Sequence, residues 1–98
     1  MEIEFDQDKR DITLRERGLD FADAAKVFSG VAATDPDTRR DYGENRYVTV
    51  GLLGERAVVL VWTPRGGKRR IISMRYANDR EKTKYSKHLD RSRRRTGT

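Results

Sequence analysis

The clearest pattern in the chain is an alternation of side chains in the stretch 68–76 (KRRIISMRY). In an extended strand, every second side chain points to the same face of the sheet. Ile72 and Met74 then share a face that turns to a core, whereas Ser73 and Arg75 share the opposite face. An arginine in the middle of a sheet face loses hydration unless an anion or a hydrogen-bond acceptor meets it. The pattern therefore predicts a strand that presents Arg75 to a ligand or to a polar surface.

Two apolar stretches before this strand predict its neighbours in the sheet. Residues 46–52 alternate like a strand, and residues 57–62 are almost continuously apolar, as in a central strand that is covered on both faces. Residues 54–55 predict a tight turn, and residues 63–67 (TPRGG) predict a hairpin loop. We therefore expect an antiparallel meander of three consecutive strands.

The N-terminal third of the chain predicts a short strand followed by two helices. Residues 1–5 alternate weakly and indicate the strand. Asp6 is a suitable N-cap for the first helix, and Gly18 is suited to end it because glycine adopts the left-handed conformation at low cost. Apolar residues at helical spacing predict a second helix between residues 20 and 30, and residues 31–33 indicate a further short strand.

The C-terminal end of the chain predicts a third helix and a basic tail. The helix would run from about residue 80 to residue 89, with Asn78 or Asp79 as its N-cap. It carries few apolar residues, so we expect it to need a packing partner. The tail, residues 90–98, has no periodic pattern and is expected to be disordered.

The order of these elements favours a small α+β fold: a β-α-α unit, an antiparallel β meander and a C-terminal helix, with the helices on one face of the sheet. A chain of 98 residues is long enough for one modest core. We therefore expect a single domain over residues 1–89.

The composition excludes several kinds of site. The chain has no cysteine, which excludes disulfides, zinc–thiolate sites and thiol catalysis, and its one histidine cannot form a histidine acid–base pair. No apolar run reaches the length of a membrane span, and no signal peptide opens the chain. We expect a cytoplasmic protein without a metal or another cofactor.

Charge is unevenly distributed along the chain. Residues 1–60 carry 9 Lys and Arg against 13 Asp and Glu, a net charge of −4, whereas residues 61–98 carry 13 against 3, a net charge of +10; the two sum to the overall +6. Such asymmetry indicates an anionic partner for the basic part, either a nucleic acid or an acidic protein. A solvated helix with a basic tail would produce the same composition.

Five motifs occur in a fixed order over residues 1 to about 85: residues 3–9 (IEFDQDK), 18–28 (GLDFADAAKVF), 41–46 (DYGENR), 62–66 (WTPRG) and 70–77 (RIISMRYA). The ordered set resembles the BrnT toxin family. The resemblance implies a RelE-like fold and a metal-independent endoribonuclease that inhibits translation and growth as the toxin of a type II toxin–antitoxin system. It also implies a BrnA-like antitoxin that dimerises, binds operator DNA and holds two toxins in a 2:2 complex.

Cleavage of RNA by its own 2′-hydroxyl needs a base, an acid and stabilisation of charge at phosphorus. Arginine suits the last role because its planar fork contacts two phosphate oxygens at once. Arg75 is the first candidate, followed by Arg46 and Arg70. An ion pair of Arg75 with Glu44 or with a helix carboxylate is the structural alternative.

Proton transfer would fall to Glu44 or Tyr85, although an aromatic ring in this position could instead stack on an unpaired base. Many members of the BrnT family carry Lys-His where this chain has Glu16-Arg17. Arg17 suits phosphate contact but is a poor proton shuttle, because its pKa is too high.

The candidates for contact with RNA phosphates are Lys9, Arg17, Arg65, Lys82 and Lys84. A non-catalytic module that binds RNA or a protein partner, and a toxin that retains antitoxin binding alone, are the alternative functions.

Overall fold

A five-stranded mixed sheet organises residues 2–86, the part of the chain that the computed structural model describes. The elements in chain order are β1 (Ile3–Phe5), α1 (Gln7–Arg17), a 3₁₀ turn (Phe21–Asp23) that continues into α2 (Ala24–Ser29), β2 (Ala32–Pro36), β3 (Tyr47–Leu53), β4 (Arg56–Arg65), β5 (Lys68–Tyr76) and α3 (residues 79–86). The α+β class expected from the sequence is confirmed. The predicted end of the third helix and the predicted tail, residues 90–98, lie outside the described residues.

The strand order is β1-β5-β4-β3-β2. The strands from β2 to β5 pair antiparallel, so the predicted meander of β3, β4 and β5 is confirmed and β2 extends it. β1 pairs parallel to β5 at the opposite edge, and α1 and α2 connect the two edges. Because β1 ends opposite Ile71, the second half of β5 has no strand on that side within residues 2–86.

The helix boundaries follow from local capping. Asp6 accepts a hydrogen bond from the backbone N–H of Asp8, and Gly18 ends α1 at φ 70°. At the start of α3, the side chain of Asn78 accepts from the backbone N–H of Glu81, while Glu81 accepts from the backbone N–H of Asn78. This reciprocal pair is a capping box, and it fixes the first turn of α3. No helix in residues 2–86 is long and apolar enough to span a membrane.

Two details of β4 and β5 differ from the predictions. The hairpin loop is shorter than residues 63–67, because Gly66 and Gly67, at φ 58° and 77°, suffice for a two-residue turn. A bulge places Trp62 opposite Ile71 and Val61 opposite Ser73. The extra residue shifts the alternation, so Ile71 is buried and Ile72, the predicted core residue, is only half-buried.

The two faces of the sheet are covered unequally. The main core lies between the sheet and the segment that contains the 3₁₀ turn and α2; it consists of Leu19, Phe21, Ala24, Val27, Val58, Leu60, Trp62, Ile71 and Met74. Helix α2 comes very close to β3, since a Cβ at Gly51 would lie 2.7 Å from Cγ1 of Val27. The other face holds a smaller cluster that Tyr85 of α3 joins. The prediction that all helices gather on one face is therefore wrong, and α3 leaves part of its face uncovered.

Candidate functional site

An open groove of about 590 Å³ lies on the sheet face opposite α1 and α2. Side chains of β3, β4 and β5 form its floor, namely Val48, Val59, Val61, Ser73 and Arg75. One wall is the segment 35–39, which contains the end of β2 and the residues that follow it, and the other is α3 with Glu81, Lys84 and Tyr85. The groove thus combines an apolar floor with charged walls.

Arg75 is fixed in this groove by a carboxylate of α3. Its Nη1 and Nη2 atoms donate to the two carboxylate oxygens of Glu81, both at 2.7 Å. The pair raises the pKa of Arg75 and lowers the pKa of Glu81 to about 2. Of the two partners that the sequence allowed, the helix carboxylate is therefore the one that binds Arg75, and Glu44 does not.

The ion pair leaves one edge of the Arg75 guanidinium open. Nη1 also donates to the backbone oxygen of Tyr76 at 3.4 Å, which uses both of its N–H groups. Within residues 2–86, the Nε–H and the second N–H of Nη2 have no acceptor. These two N–H groups lie side by side on one edge of the planar group and match two oxygens of a phosphate.

A second arginine, which the sequence analysis missed, lines the same groove. Arg39 donates through Nε and Nη2 to the two carboxylate oxygens of Asp37, each at 2.8 Å. The Asp37 side chain is 1% exposed, whereas that of Arg39 is 68% exposed. This contact lowers the pKa of Asp37 to about 2. The spacing Asp37-x-Arg39 in a polar segment was the signal available in the sequence.

Tyr85 connects the two walls of the groove. Its hydroxyl donates to the carboxylate of Asp35 at 3.0 Å. Burial raises the pKa of the Tyr85 phenol, and the bond to Asp35 adds to the shift. Lys84 lines the same wall, and its Nζ lies 5.5 Å from the centre of the Tyr85 ring.

A comparison with protein families now identifies the group to which the chain belongs. A family model described as "Ribonuclease toxin, BrnT, of type II toxin-antitoxin system" matches residues 5–81. The chain belongs to the BrnT toxin family. This membership confirms the resemblance seen in the sequence, and the matched range includes Arg39, Arg75 and Glu81. No curated protein sequence matches the chain significantly.

Arg46 and Glu44 lie beside the groove of this BrnT toxin and do not line it. The Nε atom of Arg46 donates to Glu44 at 3.0 Å, and its guanidinium lies 4.0 Å from the centre of the Tyr42 ring. The Tyr42 hydroxyl in turn donates to Asp37 at 3.2 Å. The two residues therefore belong to the loop that supports the 35–39 wall.

Arg70 lies at the other end of β5, where Nη1 is 3.7 Å from the carboxylate of Glu4 on β1. Arg75 follows five residue steps further along the extended strand, a distance of roughly 15 Å. Arg65 is exposed beside the Gly66-Gly67 turn. The structure therefore does not bring these two arginines to the groove.

The remaining basic candidates lie on other surfaces. Lys9 and Arg17 line a separate cleft of about 200 Å³ between α1 and β5, where Arg17 donates to the backbone oxygen of Met74 at 3.0 Å. Lys82 is exposed and lies 4.0 Å from Asp79. The groove thus brings together Arg75, Tyr85 and Lys84. No group of three or more His, Cys, Asp or Glu in residues 2–86 is placed to bind a metal ion.

Proposed function

We propose that this BrnT toxin is an endoribonuclease that cleaves RNA in the groove and inhibits translation and growth. The observation that carries the proposal is Arg75, which Glu81 fixes in the groove while two N–H groups on one edge have no acceptor in the described part of the chain. These groups would contact the two non-bridging oxygens of the phosphate that is cleaved. Because they are held in place before the reaction, they stabilise the charge that develops there without reorganisation.

The reaction would start at the 2′-hydroxyl next to the scissile phosphate. Attack of the 2′-oxygen forms the O2′–P bond and breaks the P–O5′ bond, which yields a 2′,3′-cyclic phosphate and a free 5′-hydroxyl. The proton of the 2′-hydroxyl must be accepted, and the 5′-oxygen must receive one. In this proposal guanidinium groups supply the positive charge at phosphorus, so the step needs no metal ion.

Asp35 and Tyr85 are the groups that we assign to proton transfer. Among residues 2–86, three carboxylates line the groove, and two of them, Asp37 and Glu81, are each held by an arginine and have a pKa of about 2. Asp35 accepts instead from the neutral hydroxyl of Tyr85, so it is the carboxylate left to accept a proton. Tyr85 has a raised pKa and stays protonated, which suits it to protonate the leaving 5′-oxygen.

An antitoxin would end the toxicity by binding the toxin. Membership of a type II toxin–antitoxin family implies such a partner. We propose a BrnA-like antitoxin dimer that holds two toxins in a 2:2 complex and alone contacts operator DNA, in the cytoplasm. Size and mass measurements on the co-expressed pair test the stoichiometry.

The direct test is incubation of antitoxin-free, folded protein with a defined RNA, with and without EDTA. Cleavage with 2′,3′-cyclic phosphate ends in both conditions supports the proposal. Cleavage that stops with EDTA refutes the metal-independent step. Intact RNA that is nevertheless retained by the protein favours the non-catalytic binding module.

A further inference from the structure

We infer that Arg39 binds the RNA phosphate next to the one that is cleaved, and that Asp37 is the residue that positions Arg39 for this contact. The inference rests on the proposed function and deepens it, because it assigns a second phosphate subsite to the same groove. At this subsite a buried carboxylate, Asp37, holds an exposed arginine, Arg39.

Asp37 is the only charged residue that is buried in the described part of the chain. A buried carboxylate is unfavourable unless it is paired and hydrogen-bonded. Asp37 meets this condition through Arg39, with further hydrogen bonds from the Tyr42 hydroxyl and the Arg39 backbone N–H. The pair orders a long side chain that otherwise extends into solvent, since Arg39 is 68% exposed. The contact therefore defines the direction of the Arg39 guanidinium.

The free edge of Arg39 complements that of Arg75. Asp37 accepts from the Nε–Nη2 edge of Arg39, so the edge formed by Nη1 and Nη2 is the one whose N–H groups have no acceptor among the described residues. Glu81 takes the corresponding Nη1–Nη2 edge of Arg75. Each arginine thus keeps one two-pronged edge for an anion, and both line one groove.

The two arginines are close enough to influence each other. The positive charge of Arg39 opposes the rise in the pKa of Arg75 and contributes to the low pKa of Glu81. Two fixed positive groups in one groove suit a polyanion, in which phosphates follow one another along the strand. If the ion pair of Asp37 and Arg39 only stabilised the loop, the Arg39 side chain would not need to face the groove.

Three variants test the inference with the full-length toxin. Arg39→Ala removes the contact, Arg39→Lys keeps the charge but not the fork, and Arg40→Ala is the matched control. Arg40 is the neighbouring exposed arginine, does not line the groove, and lies 5.9 Å from the centre of the Tyr42 ring. The readouts are kcat/KM for RNA cleavage and the salt dependence of binding to a 2′-O-methyl oligonucleotide that cannot be cleaved.

We expect Arg39→Ala to lose at least roughly tenfold in kcat/KM, as for the loss of an ionic hydrogen-bonded contact. The slope of log K against log salt should fall by about 0.7, the value for one phosphate contact on a single strand. Arg39→Lys should retain the slope and lose most of kcat/KM, because a point charge lacks the fork. Arg40→Ala should leave both quantities unchanged.

Asp37→Asn tests the positioning role separately. It should lower kcat/KM as Arg39→Ala does while the salt slope stays at the wild-type value, because the charge of Arg39 remains. An Arg39→Ala protein with normal kcat/KM and a normal salt dependence of binding but lower thermal stability would overturn the inference. It would show that the Asp37–Arg39 pair only stabilises the loop. A wild-type protein that neither cleaves nor binds RNA would instead refute the proposed function itself.

Discussion

Arg75 on β5 and Glu81 in the first turn of α3 are joined by two hydrogen bonds of 2.7 Å, and Glu81 also completes the capping box of α3. One carboxylate therefore both starts a helix and orients an arginine of the sheet. This relationship ties the folding of the C-terminal helix to the geometry of the groove. It also explains how a helix with few apolar residues is held against the sheet.

Replacement of Arg75 should abolish most of the RNA cleavage. Loss of one preorganised donor at a developing charge lowers kcat by roughly 10²–10³-fold, and we expect Arg75→Ala to fall in this range. Arg75→Lys should retain only a small part of the wild-type rate, because lysine lacks the two-pronged guanidinium group. Initial rates of cleavage measure the effect. Arg15→Ala, an exposed arginine of α1, is the control.

Circular dichroism must show that the Arg75 variants are folded. A folded Arg75→Ala protein with the wild-type rate of cleavage would remove Arg75 from the mechanism.

Tyr85→Phe should lower kcat with little change in KM, since it removes the proposed proton donor and keeps the ring. General acid catalysis contributes about 10²–10⁴-fold, which sets the expected range. The defect should shrink with a substrate whose leaving group needs no proton, such as an aryl ester of a nucleoside 3′-phosphate. An equal defect with both substrates would rule out Tyr85 as the acid.

The stability of the fold should decrease in acid. The pKa of Glu81 is lowered from 4.5 to about 2, and the pKa of Asp37 from 3.8 to about 2. A carboxylate with a lowered pKa stabilises the folded state above its unfolded pKa, and this contribution is lost as the pH falls towards the folded pKa. The free energy of unfolding should therefore fall between pH 4.5 and pH 2.

Urea unfolding over this pH range measures the effect. Glu81→Gln and Asp37→Asn should each make the free energy of unfolding depend less on pH. A variant whose free energy of unfolding depends on pH as in the wild type would show that the carboxylate it lacks does not contribute to this dependence.

Gly51→Ala should destabilise the domain by about 1–3 kcal/mol, as overpacking of a well-packed core does. The added Cβ would lie 2.7 Å from Cγ1 of Val27 and 3.1 Å from the backbone oxygen of Val31. Gly30→Ala is the matched control, because its Cβ would meet nothing closer than 3.6 Å. Equal free energies of unfolding for the two variants would contradict the close approach of α2 to β3.

The local structure was largely predictable because it depends on neighbours in the sequence. The caps at Asp6 and Gly18 follow from the chemistry of single side chains, and the meander follows from apolar alternation with turn residues between strands. The bulge beside Ile71 was not predictable from alternation. A bulge adds one residue to a strand without changing the alternation that is seen in the sequence. It nevertheless reverses which residues next to it face the core.

By itself, the sequence determined the α+β class, the central strands, the family and the importance of Arg75 as a candidate. Only the tertiary structure decided which charged groups meet it. Arg39 reaches the groove through the pairing of β2 with β3, and Glu81 reaches it because α3 packs on the face opposite the other helices. Arg39 is distant from Arg75 in the chain, whereas Glu81 follows it by only six residues. Both placements nevertheless depend on strand register and on the side that each helix covers, and local patterns do not encode either.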